Sequence, residues 1–229
     1  MTDPEDGEMI KAVIFDMDGT LFDTERVYVN AWRAAGRELN FAPIEEAIAA
    51  CTGRNAKDTR KYFEDNFADL ISYDEFMAVR TRYYDAEIEK RGVPLMPGVV
   101  ELLDHLKQNG IGIALATATR TVRTQENLTR TGLGHYFDVL VTGDMVENGK
   151  PHPETFLLAA ERLGVDPREC MGVEDSYNGV RAIRAAGIFT VMVPDTVMPT
   201  PEIEALLDAK CNTLHEVIPL IENINQPQK

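Results

Sequence analysis

The stretch that most constrains this chain is residues 9–22, reading MIKAVIFDMDGTLF. Val13, Ile14 and Phe15 form an apolar, β-favouring run that Ala12 extends, the pattern of a strand buried on both faces. The run ends on Asp16, Asp18, Gly19 and Thr20. Carboxylates at the end of an apolar strand are costly to bury unless something pairs with them. The carboxyl ends of strands are also where open α/β sheets place their ligands. Asp16 and Asp18 are two residues apart and face the same side of an extended backbone. Gly19 tolerates a positive φ, and Thr20 offers a hydroxyl to backbone or ligand. A strand closed by an ordinary Asp-Gly turn accounts for the same letters, so the stretch takes its meaning from the rest of the chain.

Residues 1–8, MTDPEDGE, read as a frayed acidic tail with no apolar core, hence no secretory signal. Residues 24–92 then change texture. Apolar positions spaced for helices predict one helix through Val27, Trp32, Ala35 and Leu39, a second from Pro43 to Cys51, and two more over 59–67 and 73–90. From Pro97 onward strands and helices alternate. Strands are expected at 111–117, 139–142, 170–174 and 188–193. Helices are expected at 98–109, 121–130, 153–163, 177–186, 203–209 and 214–224, with Cys211 near a short edge strand. Alternation of this kind implies a doubly wound parallel sheet covered on both faces. The expected organisation is an α/β core of residues 9–22 and 95–229, interrupted by an all-helical insertion at 23–94.

The apolar share of 44% suffices for a core, and the net charge of −15 argues against nucleic acid and against a polybasic membrane patch. An anionic substrate can bind only where local cations or helix N-termini reverse that field. Cys51, Cys170 and Cys211 are widely spaced, fit no metal motif, and read as idle thiols in a reduced, cytoplasmic protein. No apolar run is long enough to cross a bilayer.

Three further positions fall where predicted strands end. Thr117 closes the run GIALAT, at the same sheet edge as Asp16. Lys150, in NGKPHPETF, precedes a proline that excludes helix at that position, so it belongs to a loop leading into the helix at Pro153. A solvated surface lysine is the alternative there, and a Walker loop is rejected because GxxxxGK[ST] is absent. Glu174-Asp175-Ser176 follows CMGV. Adjacent carboxylates repel unless a cation lies nearby, and Mg²⁺ favours such hard oxygen ligands. A helix N-cap at Asp175 or Ser176 is the structural alternative.

Taken together, DMDGTLF, the Thr of ALAT, KPHP and VEDSYNG resemble, in order, the four motifs of the haloacid dehalogenase-like (HAD) superfamily. The likeness covers the chain beyond its tail, and the helical insertion corresponds to that family's cap, here in β-phosphoglucomutase/phosphatase-like form. The resemblance implies Asp16 as nucleophile, Asp18 as general acid/base, and Thr117 and Lys150 as the residues that hold the phosphoryl oxygens. Ala118, Thr119 and Arg120 resemble the phosphate-side loop, and backbone N–H groups of Met17 to Gly19 are expected to add donors. It further implies Mg²⁺ held by Asp16, the Asp18 backbone carbonyl, Asp175, and Glu174 directly or through water. Family dehalogenases lack the second Asp and P-type pumps carry Thr there, so the pair Asp16/Asp18 favours phosphoryl transfer to or from an alcohol.

Thr24, Glu25 and Arg26 are expected to form the hinge into the cap. Arg54, beside Gly53, is the candidate for cap-side substrate contact, with a solvated arginine as the equal alternative. The mutase carries a His on the first cap helix where this chain has Tyr28, with Trp32 one turn on, which leans towards a phosphatase; Tyr28 also reads as plain core. The expected activity is a monomeric Mg²⁺-dependent phosphatase of a small phosphorylated metabolite, a sugar phosphate in the first instance. A phosphosugar mutase and a catalytically silent binding protein on the same fold are the alternatives.

Overall fold

The computed structural model describes residues 9–51 and 56–226. They fall into two compact units, residues 23–94 and the remainder. In the larger unit six parallel strands run β1 (Ala12–Phe15), β2 (Gly112–Ala116), β3 (Val139–Val141), β4 (Cys170–Glu174), β5 (Phe189–Met192) and β6 (Ala209–Lys210), in the spatial order β3-β2-β1-β4-β5-β6. The first strand is therefore central, and its four residues are fully buried, which is why AVIF carries no polar alternation. Register places Phe15 opposite both Leu115 and Val173. Asp16, Ala116–Thr117 and Glu174 consequently come off three neighbouring strands at one edge.

The smaller unit consists of α1 (Thr24–Glu38), α2 (Ile44–Cys51), α3 (Ala56–Phe67) and α4 (Tyr73–Arg91). Its core is aromatic: Phe41, Phe63, Phe67 and Phe76 pack with Ala35 and Ala47, and Trp32 sits edge-on to Phe76 at 5.0 Å. Tyr28, half-buried, stacks on the buried Tyr84 at 4.4 Å within this unit. At its ends the Asp23 N–H donates to the Pro94 carbonyl, and in the larger unit Phe22 bridges antiparallel to Leu95.

The crossover helices are α5 (Val99–Gln108), α6 (Thr121–Thr131), α7 (Glu154–Leu163) and α8 (Tyr177–Ala185), with α9 (Pro201–Glu204) and α10 (Val217–Asn225) towards the end. Small residues let α7 and α8 ride close to the sheet: Ala12, Ala114 and Ala116 pack with Phe156, Ala159, Ala160, Ala182 and Ile183. A Cβ on Gly172 of β4 would lie 2.6 Å from Ile183, so this strand must be bare there. The three cysteines are buried free thiols, and burial pushes Cys170 up to about 12 and Cys211 up to about 11. Among the described residues no helix is long and apolar enough to cross a membrane.

Two expectations near the end of the chain need correction. The helix expected over 203–209 stops at Glu204, because Asp208 is drawn to β5: its N–H donates to the Thr190 carbonyl and its carboxylate accepts the Thr190 N–H, 2.9 and 2.8 Å. That clamp turns Ala209–Lys210 into the edge strand β6. The helix expected from 214 begins as a 3₁₀ turn, Leu214–Glu216, and is α-helical only from Val217, which leaves Pro219 in the first turn where its missing N–H costs nothing.

Candidate active site

Asp16 is the first residue past β1, and its N–H still donates to the Val173 carbonyl at 3.0 Å, which fixes it against β4. One carboxylate oxygen, Oδ1, accepts from Lys150 Nζ at 2.5 Å, and the same ammonium donates to Glu174 Oε1 at 2.8 Å. All three side chains are at most 9% exposed. Lys150 reaches in from the loop before α7 and passes over the ring of Phe156, 4.9 Å from its centroid. That loop is held by Glu154 in the first turn of α7, whose carboxylate accepts from the Glu147 and Asn148 N–H groups and from the Asn148 amide at 2.8, 3.0 and 2.9 Å. The sequence reading missed Glu154, since an acidic residue early in a helix is commonplace.

Asp175 completes the cluster. Ligand oxygens of Asp16, Glu174 and Asp175, all buried, lie within 4.8 Å of one another. The Thr20 hydroxyl donates to Asp175 Oδ1 at 3.1 Å, which is the use of that hydroxyl left open by the sequence. Gly19, at φ +89°, is required on two counts: a Cβ there would sit in strained backbone and 2.3 Å from Asp175 Oδ2. Its N–H donates to the Phe22 carbonyl at 2.8 Å, so Gly19 drops out of the expected oxyanion donors; the tight turn consumes it. Ser176 caps α8, its Oγ accepting from the Gly179 N–H at 3.1 Å, while Glu174 Oε2 accepts the Ser176 N–H at 2.6 Å. The N-cap at Ser176 and the carboxylate cluster of Glu174 and Asp175 thus coexist in this segment.

The electrostatics follow from three clustered carboxylates and one ammonium, which pairs with Asp16 and Glu174. Burial pushes the Asp16 carboxyl up to about 8, against the pull of Lys150. Burial disfavours the Lys150 charge as well, but Asp16 and Glu174 outweigh it and hold the ammonium above its ordinary value. Converging hard oxygens with an uncompensated negative charge match what Mg²⁺ requires. The residues present therefore fit such an ion through Asp16, Glu174 and Asp175. The Asp18 carboxylate is engaged elsewhere, accepting from the Thr119 hydroxyl at 2.7 Å. Thr117 is buried at the end of β2, and its hydroxyl accepts the Thr119 N–H at 3.0 Å. Ala118, by contrast, is exposed. Arg54 lies outside the described residues.

The sequence profile of the haloacid dehalogenase-like hydrolases matches residues 10–187. The chain belongs to that family. Its relatives include the phosphorylated carbohydrates phosphatase of Thermotoga maritima, 37% identical over 179 residues, 78% of this chain and 82% of that protein. Another is the fructose-1-phosphate phosphatase of Escherichia coli, 35% identical over 196 residues, 81% of this chain and 97% of that protein. Among solved structures, a provisionally assigned β-phosphoglucomutase from Thermotoga maritima superposes with a TM-score of 0.78 at 32% identity, covering 93% of this chain and 99% of that one. The doubly wound parallel sheet is the fold expected of the family.

Two predictions arise from the supports of this site. A Cβ on Gly179 would fall 1.7 Å from Glu174 Oε1, the oxygen that meets Lys150. Gly179→Ala is expected to cost about 1–3 kcal/mol as the crowded cap of α8 gives way, read by thermal unfolding. Its phosphate release should fall further than that loss of fold alone explains. The second concerns Asp144, which ties β3 to the start of α6: Oδ1 accepts from the Thr142 hydroxyl at 2.6 Å and from the Thr121 hydroxyl and N–H at 2.8 and 3.0 Å. These bonds, Thr142 first, hold its carboxyl down to about 2 from an ordinary 3.8. A depressed folded value means stability that is present above the unfolded value and lost as pH falls through the folded one. The gap in urea midpoint between the protein and Asp144→Asn should therefore be constant near neutrality and narrow as pH drops below about 4.

Proposed function

We propose that this chain is a Mg²⁺-dependent phosphatase that hydrolyses a small phosphate monoester, a sugar phosphate, through an aspartyl-phosphate on Asp16. The observation that carries this reading is the buried cluster of Asp16, Glu174 and Asp175, with the Lys150 ammonium paired to Asp16 and Glu174. The names of the relatives support a phosphorylated carbohydrate as the substrate class.

Hydrolysis of a phosphate monoester has a very high uncatalysed barrier, and a covalent intermediate divides it into two smaller ones. An Asp16 carboxylate oxygen attacks phosphorus in line, the P–O ester bond breaks, and Asp18 gives its proton to the departing alkoxide. Asp18, now ionised, takes a proton from a water whose oxygen attacks phosphorus. The Asp16–phosphorus bond breaks and inorganic phosphate leaves. The Lys150 ammonium and the Thr117 hydroxyl grip the non-bridging oxygens throughout. Asp16, Glu174 and Asp175, with the Asp18 backbone carbonyl, would hold Mg²⁺, which would supply Lewis-acid neutralisation of the phosphoryl charge.

The test is phosphate release over a panel of sugar phosphates, nucleotides and p-nitrophenyl phosphate, with Mg²⁺ and with EDTA. Release from sugar phosphates that EDTA abolishes and Mg²⁺ restores is the expected result; release indifferent to EDTA overturns the metal assignment. A mutase reading is favoured by the structural likeness to the Thermotoga protein, and opposed by Tyr28, which is stacked on Tyr84. Incubation with β-glucose 1-phosphate and the 1,6-bisphosphate separates the two. Glucose 6-phosphate formed without stoichiometric free phosphate is the mutase outcome.

A further inference from the structure

Resting on the reading of Asp18 as general acid/base, we propose that Thr119 is the positioning residue that aims the Asp18 carboxyl for proton transfer. The bond from Thr119 Oγ1 to Asp18 Oδ2, 2.7 Å, joins two loops 101 residues apart in sequence. Asp18 lies in the tight turn after β1, where backbone alone leaves its χ angles unset. A carboxyl that must protonate a leaving alkoxide needs a fixed plane, since proton transfer demands heavy-atom approach within hydrogen-bond reach.

Thr119 is itself held at both ends. Its N–H donates to Thr117 Oγ1 at 3.0 Å, and its carbonyl accepts from the Gly143 N–H at 3.0 Å. The loop is pressed against the turn after β3, where a Cβ on Gly143 would lie 2.1 Å from the Ala118 carbonyl oxygen. With the main chain pinned, one staggered χ1 well directs the hydroxyl. Thr119 therefore transmits the position of β2 to the acid, while Thr117, two residues earlier, stays with the phosphoryl group. Only the hydroxyl is needed for this, so serine can substitute and valine, of the same shape, cannot.

The experiment uses the full chain and a series of phosphate esters whose leaving groups run from dinitrophenol to a sugar alcohol. The readout is kcat/KM, which reports events up to the first irreversible step. A dinitrophenolate departs without a proton, whereas an alkoxide does not. Thr119→Val is expected to lower kcat/KM about 10–100-fold on the sugar phosphate and less than about threefold on the dinitrophenyl ester, a share of the 10²–10⁴ that general acids contribute. Thr119→Ser should restore the sugar-phosphate rate to within about threefold. An equal loss on both esters, or failure of serine to rescue, overturns the inference; an equal loss marks Thr119 as a phosphate contact. Asp18→Asn, run in parallel, tests the parent reading. If it too loses both esters equally, the acid assignment falls and Thr119 with it. If Asp18→Asn is selective for the poor leaving group and Thr119→Val is not, the positioning role alone is lost.

Discussion

Asp16→Asn is expected to abolish turnover on every ester the protein accepts, with kcat lowered by about 10⁴-fold or more, because the proposed reaction loses its nucleophile and with it the two-step path. The fold should survive the change. Asparagine has the shape of aspartate, and its amide oxygen can still accept from Lys150, the partner of Asp16 Oδ1. Burial already disfavours the charge at this position, holding the carboxyl up to about 8, so a neutral side chain meets no new desolvation cost. Lys150 keeps Glu174 Oε1 as its charged partner in this variant, so circular dichroism should match the parent and Tm should stay well above that of Lys150→Met while phosphate release is lost. The complementary measurement is rapid acid quench of the parent during turnover, followed by intact-mass analysis. A phosphoryl adduct that maps to Asp16 and is absent from Asp16→Asn is the expected result. A well-folded Asp16→Asn that keeps more than about a hundredth of the parent activity would show that water attacks the ester directly, and the covalent path would be wrong.

How far the sequence alone reaches here depends on the range of the interactions involved. The strand AVIF, flanked by Asp16 and Asp18, is legible because burial on both faces erases polar alternation over a short window, and nothing else in the chain competes for those residues. The helical unit is legible for a similar local reason: Phe63, Phe67, Phe76 and Trp32 fall at helical spacing and meet in one aromatic core. Local pattern misleads at residues 203–209, where a helix-favouring run is overridden by the two backbone and side-chain bonds of Asp208 to Thr190. No window around Asp208 contains Thr190. The same limit applies in the site. Asp16, Lys150, Glu174 and Asp175 are named by their motifs, but the hydroxyl that holds the Asp18 carboxylate comes from Thr119, 101 residues away. Gly143 and Gly179 matter only through atoms that come from elsewhere in the fold. Oxyanion donors were over-counted because the turn that presents Asp18 also spends the Gly19 N–H on Phe22.

Lys150→Met separates the two tasks of the one ammonium in the cluster. Its ion pairs to Asp16 and Glu174, at 2.5 and 2.8 Å, are almost wholly buried, with Lys150 itself 8% exposed. Removing one partner of such a pair leaves the other charge uncompensated, which typically costs about 3–5 kcal/mol. For a chain of this size that is a fall in Tm on the order of 10 °C. Methionine keeps an unbranched stem of similar length but gives up the ammonium over the Phe156 ring, so the loss includes that cation–π contact along with the ion pairs. In EDTA the variant should thus unfold well below the parent. Mg²⁺ should then recover more stability in the variant than in the parent, since an ion that binds only the folded state stabilises by RT ln(1 + [L]/Kd), and its site has lost a competing cation. Activity should not follow. In the proposed reaction the ammonium also grips the phosphoryl oxygens in the transition state, and removing one such donor is expected to lower kcat about 10²–10³-fold whatever the metal does. Stability rescued by Mg²⁺ with turnover still absent is therefore the signature of a lysine that both balances the acidic cluster and acts on the substrate. Equal Tm for Lys150→Met and parent in EDTA would mean that the three carboxylates do not depend on this ammonium, and the electrostatic account of the site would fail at its centre.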